Sequence, residues 1–246
     1  MGGKARVGLS QGITRTLDEL TPVLDSHKGR SLVIGGIAVI ARGVPRVTRD
    51  IDIAFSGADI TLQALAAELA DAGIVGRIED ALAFAAESQV LLLRHAETGV
   101  DVDVSLAWMP FELEAMAAAG PVKVSGVTLQ VAQPEDLVIY KAIAWRPQDQ
   151  QDVERLLALH GAQMDLARVR RHVRELGEAM EQDRLPHLEH CQAGLRRSYG
   201  GALAISPTTT VMLSSPPRLF ARSTSAAGRR RYQVIATIRS SSPCST

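Results

Sequence analysis

Asp50 and Asp52 stand two residues apart in an apolar frame, with Ile51 and Ile53 beside them. On a strand, residues two apart share a face, so both carboxylates leave one side while the isoleucines point to a core. Two like charges that close are costly unless a cation lies between them. A hard divalent ion such as Mg²⁺, or Mn²⁺ in its place, meets that need with oxygen ligands. The plainer reading is an acidic strand face in water. Upstream, Gly35 and Gly36 follow the apolar run 31–34 and open a short helix over 37–41. Without a Cβ in the way, backbone N–H groups at such a turn can approach an anion. Alone, a Gly pair is only a tight strand–helix turn. Beside an Asp-x-Asp strand, it sets phosphate donors next to metal ligands. Asp101 and Asp103 alternate in the same manner on 100–106. If that strand lies beside 51–55, one of the two completes a three-carboxylate cluster. Such a cluster suits two-metal phosphoryl or nucleotidyl transfer, in which one carboxylate can also take the nucleophile's proton. Arg46 and Arg49 flank the acid pair, to contact phosphate or to offset its charge, and Thr48 is placed to orient a metal-bound carboxylate.

A second group of charges lies downstream. Lys141 suits a triphosphate as a point charge, and equally suits a surface lysine laid along apolar neighbours. Asp149 follows Pro147 at the expected start of a helix, where an N-cap is the plainer role. Asp152 lies one turn later on the same face. His187, His190 and Cys191 offer three zinc-type ligands but no fourth, and a structural zinc site wants four. Trp108, Phe111 and Trp145 read as core or cleft-wall residues.

The run Ile34-Gly35-Gly36, thirteen residues, then Asp50-Ile-Asp52-Ile53 resembles the signature of the nucleotidyltransferase superfamily of the DNA polymerase β type. The resemblance implies a nucleoside triphosphate substrate, Mg²⁺ held by Asp50, Asp52 and a third carboxylate, and nucleotide contacts around Gly35 and Gly36. Asp103 fits the third position best by its distance to Leu106, with Asp101 the alternative. Gly36 departs from the many members that carry Ser there, which removes a hydroxyl contact to phosphate. The segment from Pro134 through Lys141 and Arg146 to Asp149 and Asp152 resembles bacterial nucleotidyltransferase toxins of the abortive-infection (AbiEii) type. That likeness covers roughly residues 30–180. It implies that Lys141 and Asp149 or Asp152 lie in the active cleft, that the acceptor is tRNA or another macromolecule, and that a cognate antitoxin exists. The competing expectations are an enzyme that modifies a small molecule of the antibiotic type and a non-catalytic nucleotide-binding module.

These residues require an α+β frame. Helical spacing appears at 13–24, 61–72 and 110–119, strands at 31–34 and 51–55, a hairpin at 89–94 and 100–106 around Glu97-Thr98-Gly99, and two short strands within 121–131 around Gly126. From Pro134 the pattern turns helical, with 149–159 and 165–176 as further helices. The chain therefore divides into a small mixed-sheet nucleotidyltransferase domain over 1–133, a helical region over 134–195 and a tail over 196–246.

The tail differs in kind. Its 51 residues hold eight Arg, ten Ser, six Thr and no acid. Such text reads as disordered or as the product of a shifted reading frame, with Arg229-Arg230-Arg231 as a conceivable phosphate-binding arm. The formal net charge of zero thus splits into +8 on the tail and −8 on the first 195 residues. That acid excess counts against broad nucleic-acid binding, although Arg168, Arg170, Arg171 and Arg174 make a local basic patch. Two cysteines exclude a disulfide scaffold and suit a cytoplasmic protein. No apolar run of about eighteen residues is present to span a membrane, and the first ten residues lack a signal-peptide core.

Overall fold

A computed structural model describes residues 9–57 and 59–198, with side chains through residue 195. It is α+β, with a mixed seven-stranded sheet. The expectations for the tail beyond Ser198, including the Arg229–Arg231 arm, lie outside the described residues. Among the described residues, no helix is long and apolar enough to cross a membrane.

The chain runs α1 (Gln11–Ser26), β1 (Ser31–Ile34), α2 (Gly35–Ala41), β2 (Asp50–Phe55), α3 (Leu62–Asp71), β3 (Ile74–Gly76) and α4 (Ala81–Ser88). It continues with β4 (Val90–His95), β5 (Asp101–Leu106), α5 (Pro110–Ala118), β6 (Gly120–Val124) and β7 (Val127–Val131). Four helices follow: α6 (Pro134–Ala144), α7 (Pro147–His160), α8 (Leu166–Ala179) and α9 (Leu185–Ser198). Two compact units divide at Leu137, within α6.

In the first unit the strand order is β3-β4-β5-β2-β1-β7-β6. β1 is buried at all four positions, as the apolar Leu32, Val33 and Ile34 require in a strand flanked on both sides. It pairs antiparallel with β2 and parallel with β7, and β2 pairs parallel with β5. β4 and β5 form the expected hairpin, closed by Gly99 N–H donating to the His95 carbonyl at 2.9 Å. Ile51, Ile53, Val102 and Val104 alternate into the core.

α1 opens at Ser10, whose hydroxyl accepts the Ile13 N–H at 3.3 Å, an ordinary Ser cap. It buries Ile13, Leu17 and Leu20 and packs on β7 and α3. Its Thr16 hydroxyl meets the Thr98 hydroxyl at 2.7 Å, which ties the helix to the β4–β5 turn. α3 is capped by Thr61 and buries Leu65 and Leu69.

The sequence patterns miss β3 and α4. β3 is three residues long, too short for alternation to show. α4 is alanine-rich, its Asp80 makes no capping bond, and it ends in the left-handed Gln89, φ 62°.

In the second unit, Val138, Ile139 and Ala142 of α6 are fully buried. α7 begins at Pro147 with Arg146 at the N-cap. Asp149 is therefore the third residue of the helix and not its cap. α8 is capped by Asp165, which accepts the Arg168 N–H at 2.9 Å, and buries Val169, Val173 and Leu176. α9 packs on α7 and α8.

Candidate functional site

The register of β2 against β5 places the acids. Asp50 lies opposite Asp101, and Asp52 lies opposite Asp103. Adjacent strands in register present opposed residues on one face, so all four carboxylates share one side of the sheet. Burial differs along it: Asp50 is exposed, Asp52 and Asp101 are half-buried, and Asp103 is 8% exposed.

β1 brings the glycine turn to the same place, because Ile34 lies opposite Asp52. Gly35 has φ 62°, a left-handed conformation that favours glycine. A Cβ on Gly35 would overlap the Asp52 carboxylate. The carboxylate thus sits directly over the backbone at the start of α2, and two separate constraints fix this residue as glycine. Gly36 is buried, and a Cβ there would collide with the Thr48 side chain and lie 3.3 Å from Arg46 Cζ. Thr48 fills the space that the bare backbone leaves. Its hydroxyl donates to Asp50 Oδ1 at 2.8 Å. Arg46 Nε donates to the Val47 carbonyl at 3.2 Å, while Arg49 and Val47 are exposed.

Two arginines that the sequence patterns did not single out complete this face. Arg94 Nε donates to Asp101 Oδ1 at 2.7 Å. Arg77 Nη1 lies 2.7 Å from Asp103 Oδ1 and 3.4 Å from Asp101 Oδ2. Arg94 was legible in principle, since the hairpin register pairs it with Asp101. Arg77 was not, because it follows the unrecognised β3.

Hard oxygen donors aligned on adjacent strands, beside a turn that no Cβ could enter, fit a divalent ion in chemistry and backbone placement. The side chains are turned to other partners: Asp50 to Thr48, Asp101 and Asp103 to the arginines. Among the described residues, no three His, Cys, Asp or Glu side chains are gathered closely enough to hold a metal in their present rotamers.

The second unit holds a different cluster. Lys141 is buried, with Nζ at 2.9 Å from Asp149 Oδ1 and 3.1 Å from Asp152 Oδ2. Asp149 and Asp152 are both 0% exposed. Asp149 Oδ2 also accepts from Arg146 Nε at 2.6 Å and from the Arg146 N–H at 3.1 Å. Burial alone would raise the Asp149 carboxyl. Hydrogen bonds from Arg146 and Lys141 and the charges of both outweigh it, and the pKa falls below the ordinary 3.8. Nearby, Trp145 stacks on the His187 ring at 5.2 Å between centroids. Burial pushes the Cys191 thiol up, with Glu154 adding to the effect. Of the basic patch, Arg171 and Arg174 are exposed, and Arg170 donates to Gln192.

A glycine turn set against carboxylates on neighbouring strands of a mixed sheet is the layout that the nucleotidyl-transfer chemistry requires. The model of the family described as nucleotidyltransferase of unknown function (DUF6036) matches residues 11–187, and the chain belongs to that family. At this level the protein is a nucleotidyltransferase. No curated protein matches the chain. The family match is coarser than the AbiEii likeness and does not reach it.

Proposed function

We propose that the protein transfers a nucleoside monophosphate from a nucleoside triphosphate to a macromolecular acceptor such as tRNA, with Mg²⁺ or Mn²⁺. The observation that carries this reading is the register of Asp52 against Asp103, with Gly35 beneath the Asp52 carboxylate. Asp50, Asp52 and Asp103 would hold the divalent ions, which supply neutralisation of the triphosphate and activation of the attacking oxygen. Thr48 fixes the rotamer of Asp50 through its hydrogen bond. The bare backbone of Gly35 and Gly36 lets the Asp52 carboxylate and the Thr48 side chain lie directly against the start of α2. Arg46 and Arg49 offer positive charge beside Asp50 as pyrophosphate leaves the α-phosphorus. Asp103, the most buried of the acids on this face, suits the acceptance of the nucleophile's proton.

The finer reading is a toxin of the AbiEii branch, controlled by a cognate antitoxin. Its support is the segment from Lys141 to Asp152. Within its own unit the Lys141 ammonium is already matched by Asp149 and Asp152, so contact with a triphosphate would require it to exchange one of these partners. The acid excess of the first 195 residues favours a second reading, transfer to a small cationic acceptor of the antibiotic type.

The test incubates the full chain with each α-labelled nucleoside triphosphate, Mg²⁺ and total cellular RNA. Labelled RNA is expected, and Asp50→Ala with Asp52→Ala should abolish it. Undiminished labelling by that variant overturns the assignment. Growth arrest on expression, relieved by a neighbouring gene product, separates the toxin from the small-molecule enzyme.

A further inference from the structure

Arg77 follows β3 by one residue, and its N–H donates to the Leu92 carbonyl at 3.1 Å. This extends the β3–β4 ladder by one step. Cross-strand register then gives a single row across the sheet: Arg77, Leu92, Asp103, Asp52. The guanidinium reaches across β4 and grips Asp103 with two nitrogens, Nη1 to Oδ1 at 2.7 Å and Nη2 to Oδ2 at 3.4 Å. Its Nη1 also lies 3.4 Å from Asp101 Oδ2. The Arg77 side chain is 13% exposed and that of Asp103 is 12% exposed, so water screens this pair weakly.

We propose that Arg77 is the internal counter-ion of the third carboxylate. It occupies Asp103 when no divalent ion is bound, must yield that carboxylate to the ion, and thereby sets the metal affinity of the site. The proposal rests on the reading of Asp50, Asp52 and Asp103 as metal ligands. Its physical basis is competition for the same oxygens. A mostly buried carboxylate beside three other acids needs a cation. A forked guanidinium supplies one with directed bonds. A divalent ion that takes Asp103 must displace at least one of those bonds and accept a neighbouring positive charge. Arg94 does not act in this way: its side chain is 53% exposed and it pairs with Asp101. Arg77 is thus a positioning residue, which touches neither substrate nor reacting atoms in this role.

The experiment measures Mn²⁺ binding to the full chain by the electron paramagnetic resonance signal of free Mn²⁺, without nucleotide. Arg77→Gln should bind Mn²⁺ more tightly than the wild type, on the order of tenfold for removal of one nearby charge. Arg77→Lys, which keeps the charge, should stay within about threefold of the wild type on the same arithmetic. A merely structural Arg77 gives the opposite sign, because a misplaced Asp103 weakens binding. Equal or weaker binding by Arg77→Gln, with binding by the wild type intact, overturns the proposal and leaves the metal reading standing. Absence of Mn²⁺ binding from both proteins overturns both. Should Arg77→Gln fail to fold, the wild-type chain answers the question by nuclear magnetic resonance. The Arg77 Nε–H signal, identified by its loss in Arg77→Lys, should shift on Mg²⁺ saturation, and an unmoved signal overturns the proposal.

Discussion

The two charge clusters of this chain use the same residue types and reach opposite physical states. On the sheet of the first unit, four aspartates share one face, two of them half-buried and one exposed, with arginines brought in from the β3–β4 side. In the second unit, Asp149 and Asp152 are wholly buried, and Lys141 and Arg146 neutralise them from α6 and from the start of α7. On the proposed reading of Asp50, Asp52 and Asp103 as metal ligands, the first arrangement would exchange its cations for ions from solution. The second cannot lose a partner without leaving a buried charge exposed to low dielectric. Acid clusters therefore divide by burial. Wholly buried acids with buried partners indicate structure; acids at a half-open face leave room for exchange.

The largest effect that tests this contrast is on transfer. Asp52→Ala alone should lower labelled-nucleotide transfer by about a thousandfold or more, if it is the metal ligand proposed above. Its urea unfolding should change little, because removal of one of four like charges relieves repulsion. A comparable loss of stability would break the contrast.

Asp149→Asn is the converse. It strips a buried ammonium and guanidinium of their partner and should destabilise the fold by about 3–5 kcal/mol in urea unfolding. The effect carries a pH signature. The Asp149 carboxyl is lowered in the folded protein, so the unfolded chain takes up the proton first as pH falls. Its contribution is full above the ordinary aspartate value of 3.8 and is lost as pH drops through and below it. The gap in stability between the wild type and Asp149→Asn should therefore narrow in acid. A gap of constant size from neutral pH to below the ordinary value would show that Asp149 acts by packing and not by charge.

Gly35→Ala should cost about 1–3 kcal/mol from the left-handed backbone alone. Its Cβ must also displace the Asp52 carboxylate, so melting temperature and Mn²⁺ binding should fall together. Retention of metal binding would show that Asp52 has freedom the present geometry does not suggest. The smallest effect belongs to Arg94→Gln. Its pair with Asp101 is half in water, and thermal unfolding should register at most about 1 kcal/mol.

Much of the site was legible because the periods of strands are short. The alternation of Asp50 with Ile51 and of Asp101 with Val102 already assigns acids to one face and branched residues to the other. The Gly35-Gly36 turn was legible too, though not that Gly35 lies beneath Asp52 or that Thr48 fills the space beside Gly36. Arg77 had no local signal: β3 is three residues long, and the partner of its arginine lies 26 residues away. The burial of Lys141 was likewise hidden. Its spacing fits a surface lysine as well as a buried one, and only the fold of α6 against α7 closes water out.

By itself, the sequence determined which faces carry charge, where β1 and β2 run, and the nucleotidyltransferase class to which the chain belongs. Those facts depend on patterns within a few residues and on one motif of fixed spacing. Tertiary structure alone decided that β5 lies parallel to β2, that Asp103 stands opposite Asp52, and that Arg77 reaches it across β4. Strand neighbours in a sheet are chosen by how the whole chain buries its apolar faces, and no local period encodes that choice.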